Sequence, residues 1–118
     1  MRYLLLGLLL ATPAPALAES QRDGFTCAVL RTCDLHGTCT EGGEGFDLAF
    51  LGGGLEVAMN GDHLSPAYDG VLQTAAWESA GRVYQLRFTG DGAGLLTASP
   101  VEGSAEEATL MTIHCSPE

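Results

Sequence analysis

Four cysteines are the residues with the most chemistry to offer in this 118-residue chain. Cys27, Cys33 and Cys39 follow one another at C-x5-C-x5-C spacing, and Cys115 stands three residues from the C-terminus. Zinc sites usually pair their ligands two to four residues apart, and thiol oxidoreductases use C-x-x-C at a helix N-terminus. Neither spacing occurs here. An even number of widely spaced cysteines fits a disulfide framework instead. If residues 25–33 form one strand, Cys27 and Cys33 lie about 20 Å apart at about 3.3 Å per residue. A disulfide tolerates Cα separations up to about 7 Å, so those two do not pair. A turn about His36 opposes residue 33 to residue 39 and residue 27 to residue 45, which leaves Cys27 out of reach of Cys39. The expected bonds are therefore Cys33–Cys39 across the turn and Cys27–Cys115 between the first and last strands.

The other reactive side chains form no constellation. His36, His63 and His114 share no H-x-H or H-x-x-x-H spacing and read as solvated or locally bonded groups, with no metal expected. Asn60-Gly61-Asp62 and Gly90-Asp91-Gly92 resemble fragments of calcium loops but lack the alternating ligands and the bidentate glutamate of a full loop. Both read as turns, which favour the same residues. No G-x-S-x-G nucleophile elbow is present, and Ser65 and Ser79 have no supporting context. No catalytic residue is assigned, and the chain reads as a non-enzyme without a cofactor. Trp77, Tyr84 and Tyr68 are the aromatics to watch. Core packing is the ordinary role for such residues in strands, and a place at a barrel mouth, gripping a partner or an apolar ligand, is the functional one.

Residues 1–18 read as a signal peptide. Arg2 precedes the apolar run Leu4 to Ala11, Thr12-Pro13-Ala14-Pro15 breaks it, and Ala16-Leu17-Ala18 supplies a small-x-small cleavage site. Cleavage between Ala18 and Glu19 would release a periplasmic or secreted domain, residues 19–118, in an oxidising compartment that permits disulfides. The apolar run is far shorter than the roughly 20 residues that span a bilayer, so no stable membrane insertion is expected. All fifteen acidic residues lie in this domain against four arginines and no lysine, a formal charge of −11 before histidines. Such a surface repels nucleic acid and speeds encounter with a basic partner.

The elements that must position these groups are strands. Apolar residues alternate with polar ones from Phe25 to Cys33, Phe46 to Leu51, Leu55 to Met59, Val71 to Trp77, Arg82 to Phe88, Leu95 to Ser99 and Ala108 to Cys115, the period of half-buried β-structure. In the first of these, Phe25, Cys27, Val29 and Cys33 share one face, with Thr26, Ala28, Leu30 and Thr32 on the other. Glu41 to Gly45 reads as a loop, Leu64 to Tyr68 as irregular or an edge, and Glu102 to Met111 has room for one short helical turn. Asn60-Gly61 between alternating runs is a hairpin signal. Seven or eight short strands with glycine-rich turns argue for an all-β domain. Closure would hide its edges, so a small antiparallel meander barrel is expected, with a two-sheet sandwich as the alternative.

The leader, Phe25-Thr26-Cys27 with two further cysteines soon after, and a last strand ending in Cys115 resemble a group of small exported Gram-negative proteins of unknown function. The plan also resembles the C-type periplasmic lysozyme inhibitors, small β-barrels with an early and a terminal cysteine. Those carry a serine–glycine loop followed by a tyrosine, where this chain has Ser79-Ala80-Gly81-Arg82-Val83-Tyr84. They also carry a lysine-bearing stretch, whereas this chain has no lysine, and no inhibitory residue is carried over. The resemblance implies an acidic binding or stress-protection module for a cationic protein such as a lysozyme. The alternative is a carrier that holds a small apolar ligand in its barrel mouth.

Overall fold

The computed structural model describes residues 21–118; the leader and its Ala18–Glu19 cleavage site lie outside the described residues. The domain is all-β: β1 (Arg22–Asp34), β2 (Cys39–Glu41), β3 (Phe46–Leu51), β4 (Gly54–Met59), β5 (Asp62–Leu64), β6 (Tyr68–Asp69), β7 (Thr74–Ser79), β8 (Arg82–Gly90), β9 (Ala93–Pro100) and β10 (Thr109–Pro117), with one 3-10 turn at Ala105–Glu107. All form one antiparallel sheet in the order β5-β4-β3-β1-β10-β9-β8-β7-β6, with β2 paired to the far half of β1. The sheet curls into a half-barrel around an apolar interior. Two- and three-residue strands raise the number to ten; β2 precedes the stretch read as a loop and shares only Glu41 with it, and β5 and β6 bracket the irregular Ser65-Pro66-Ala67.

Four hairpins turn on two residues that both have positive φ: Gly52-Gly53, Asn60-Gly61, Ala80-Gly81 and Asp91-Gly92. That backbone matches the right-handed twist of the flanking strands. It sets the alternation that puts Leu48, Leu55, Val57, Leu86, Leu96 and Ile113 inside.

Two expectations about strand bounds and faces need correction. Strand β7 begins at Thr74, not Val71: the Asp69 carboxylate accepts the Val71 and Leu72 N–H groups, Gln73 takes φ +57°, and Val71 is left 92% exposed. The second concerns β1. Its pairing with β10 slips between Val29 and Arg31, so Val29 faces Ile113 but Arg31 faces Thr112. This bulge at Leu30 reverses the alternation. Val29 and Thr32 then share the inner side, where Gly43 packs on both, and Cys33 points outward. A Cβ at Gly43 would stand 2.8 Å from Val29 Cγ1 at φ +152°, so this loop closes over β1 only with glycine there.

Both disulfides are those expected. Cys27–Cys115 joins directly opposed residues of β1 and β10, and Cys33–Cys39 clips the β1–β2 turn. The bulge puts them on opposite faces, with Cys27 and Cys115 1% and 5% exposed in the core. Residue 27 also opposes Phe46 rather than residue 45. The bond between first and last strands does not close the barrel. It sits mid-sheet, and the open seam runs between β5 and β6. Side chains from the hairpin turns bridge that seam: Ser79 Oγ donates to Asp62 Oδ2 at 2.7 Å and accepts from Asn60 Nδ2 at 3.2 Å.

In the loop-entropy account the long bridge contributes about 4.5 kcal/mol and the short one about 2.4 kcal/mol. Replacing Cys27 and Cys115 with alanine should therefore lower the urea-unfolding free energy by roughly twice as much as replacing Cys33 and Cys39. Equal losses would contradict the loop-length account of the two bonds. The seam is tested separately by Ser79→Ala, which removes the donor to Asp62. It should cost about 1–2 kcal/mol and raise amide exchange in β5 and β6 ahead of the rest; uniform exchange would show that the latch is not local.

Candidate functional site

The strands run between two ends of the half-barrel, and the ends differ. One carries the Asn60-Gly61 and Ala80-Gly81 turns and the Ser79 latch. Arg82 also closes this end, donating through Nη2 to the carbonyls of Ala98 and Glu107 and to Thr109 Oγ1. The other end carries the start of β1, the Gly52-Gly53 and Asp91-Gly92 turns, and β6.

At this second end, four inward-facing rings lie near the rim. Phe25 and Phe50 meet edge-on at 6.0 Å and 81°, Phe50 and Tyr68 at 5.1 Å and 71°, and Phe50 and Phe88 are tilted by 47° at 6.1 Å. Edge-on and tilted pairs are the favoured ring arrangements. All four rings are half-buried, so part of each faces a cavity of about 260 Å3 whose wall also includes Gln73, Asp91 and Cys115. The Cys27–Cys115 bond thus reaches the cavity wall through Cys115.

The electrostatics of this mouth are one-sided. Asp91 lines it, Asp23 is the cross-strand partner of Phe50, and Asp69 follows Tyr68 in the chain. Burial raises the Tyr68 phenol above its usual pKa, and the charge of Asp69 pushes the same way, so the hydroxyl keeps its proton at neutral pH. No arginine among the described residues lines the cavity. Among the described residues, the ion pair is Arg22–Glu56 at 3.3 Å. It leaves thirteen of the fourteen described carboxylates without a cationic partner.

The sequence-singled aromatics separate. Tyr68 lies at the mouth. Trp77 is 7% exposed and stacks on half-buried Tyr84 at 6.0 Å and 16°, with Phe46 at 6.4 Å on it. Its indole N–H is buried without a partner among the described residues, a cost of about 1–3 kcal/mol. Trp77 is therefore a core residue. Phe25, Phe50 and Phe88 were legible as inward positions, but nothing in their spacing marks the open end. A second concavity, about 990 Å3, is a trough over the outer side of β7 to β10 that includes Gln85, Arg87, Leu95, Thr97 and Leu110. It is larger, but it lies on the outer face of the sheet, and its polar residues, Asp69, Thr74, Gln85, Arg87 and Thr97, are spread along strands β6 to β9.

His36, His63 and His114 are exposed on three different elements, and no three potential metal ligands come together among the described residues. Ser79 is 3% exposed and its hydroxyl is committed to Asp62. Asp34 Oδ1 accepts the N–H groups of His36 and Thr38 at 2.9 Å each, fastening the turn inside the Cys33–Cys39 clip. The Thr38 N–H is the main cause of a lowered Asp34 pKa; desolvation opposes it, and the N–H and charge of His36 reinforce it. A depressed carboxyl adds stability above its unfolded pKa, near 3.9, and loses it as pH falls through the folded value. An NMR titration should give Asp34 a midpoint below that ordinary value. A midpoint at or above it would mean the turn bonds do not favour the carboxylate.

No family model matches the chain, and no curated protein or solved structure is significantly similar to it.

Proposed function

We propose that the protein is a non-enzymatic binding module of an exported, oxidising compartment, and that its partner is a cationic protein. The observation that carries this reading is the mouth: an aromatic-lined opening bordered by carboxylates that no arginine among the described residues neutralises. Two buried or clipped disulfides suit an oxidising compartment, and the leader grammar supplies the route of export. Among basic proteins, a lysozyme is the partner that the family resemblance favours. A surface so short of cations gathers a basic partner by long-range attraction and holds it by short-range contact at the mouth.

The second reading, a carrier of a small apolar ligand, is favoured by the same cavity. About 260 Å3 suits a ring or a single side chain better than a drug-sized molecule, whose sites usually start near 300 Å3. Catalysis has no support from Ser79, whose hydroxyl is buried and donates to a carboxylate rather than meeting a histidine.

Calorimetric titration of the purified domain with lysozyme, at about 0.01 M and about 1 M salt, tests the leading reading. The Debye length falls from about 30 Å to about 3 Å over that range, so affinity should drop by at least about tenfold. Absence of binding at low salt, or binding indifferent to salt, would overturn it. Saturable uptake of an uncharged apolar probe in its place would move the assignment to the carrier.

A further inference from the structure

The mouth supports a sharper statement, which rests on the binding reading above. We propose that it is a cation–π receptor for an arginine side chain presented by the basic partner. The rings make this possible by their angles. Phe25, Tyr68 and Phe88 each pack on Phe50 at 47° to 81°, so none lies flat against it, and all four rings line the cavity. Ring faces carry the negative part of the aromatic quadrupole and attract a cation within about 6 Å.

Charge selects the guest. Asp91 in the wall and Asp23 beside Phe50 have no ion-pair partner among the described residues. Both carboxylates are exposed at the rim, and a neutral apolar guest would leave their charge uncompensated. A guanidinium returns both interactions at once, since its plane stacks on a ring while its edge donates to a carboxylate. The four arginines among the described residues do not fill the place. Arg22 is held by Glu56 on the outer side, Arg82 is bonded at the opposite end, Arg87 belongs to the outer trough, and Arg31 lies on the far half of β1. The volume of about 260 Å3 admits one side-chain head and its methylenes.

The test compares three small probes by NMR of the ring C–H groups: N-acetyl-arginine amide, its uncharged isostere N-acetyl-citrulline amide, and N-acetyl-norleucine amide. The arginine probe should shift the Phe25, Phe50, Tyr68 and Phe88 signals saturably and leave the Trp77 indole unmoved, while the other two leave the mouth unchanged. Asp91→Asn suits the positive φ at that turn. Together with Asp23→Asn it should weaken the arginine response and lysozyme affinity by about fivefold or more at unchanged thermal stability. Equal shifts with citrulline or norleucine would overturn the cation assignment. Lysozyme binding with silent mouth rings, or unchanged affinity in the double variant, would overturn the receptor and leave the module reading standing. Arginine-filled rings without lysozyme binding would uphold the receptor and overturn the choice of partner.

Discussion

The pairing of β1 with β10 is the constraint on which the rest of the structure depends. Opposed residues run from Phe25–Pro117 to Asp34–Thr109, with the Cys27–Cys115 bond fixing their register from inside the core. On one side hang β3, β4 and β5; on the other hang β9, β8, β7 and β6. Take this pairing away and two small sheets remain, each with a long free edge where none now exists. Short edge strands and side-chain bridging at the seam are then enough to manage what is left of the edge problem.

Much of this was legible in the sequence, for identifiable reasons. Strand identity follows from period-two alternation and glycine punctuation, and the disulfide pairing follows from strand rise and turn register. What escaped depended on single backbone events. The Leu30 bulge carries no glycine or proline to announce it, yet it reverses the side chains of every later residue in β1 and turns Cys33 outward. Val71 and Leu72 are good strand formers in isolation, but the Asp69 carboxylate captures their N–H groups into a turn. Asp69-Gly70 was the available signal.

The site was less legible than the fold, because depth along a barrel is a property of the whole sheet. Trp77 and Phe88 both occupy inward positions, and alternation treats them alike. Only the assembled stagger of β7, β8 and β3 places the tryptophan inside and leaves Phe50 and Phe88 at the rim. Charge shows the same division. Composition reveals the excess of carboxylates, but not that Arg22 is engaged by Glu56 and Arg82 bonded at the opposite end, so that neither lines the aromatic cavity.

The seam between β5 and β6 also says something about how the chain is threaded. Glu118 donates its N–H to the Gly24 carbonyl, so the start of β1 and the end of β10 are neighbours, while only Ser65-Pro66-Ala67 crosses the seam. Join those neighbours and cut at Pro66, and the order of strands becomes β6 through β10, then β1 through β5. Apart from the β2 clip, that is a plain up-and-down meander. The domain is thus a circular permutation of the simplest antiparallel sheet. Its termini fall at the centre, and its most non-local strand pair is the one that must form for the two halves to become a single body.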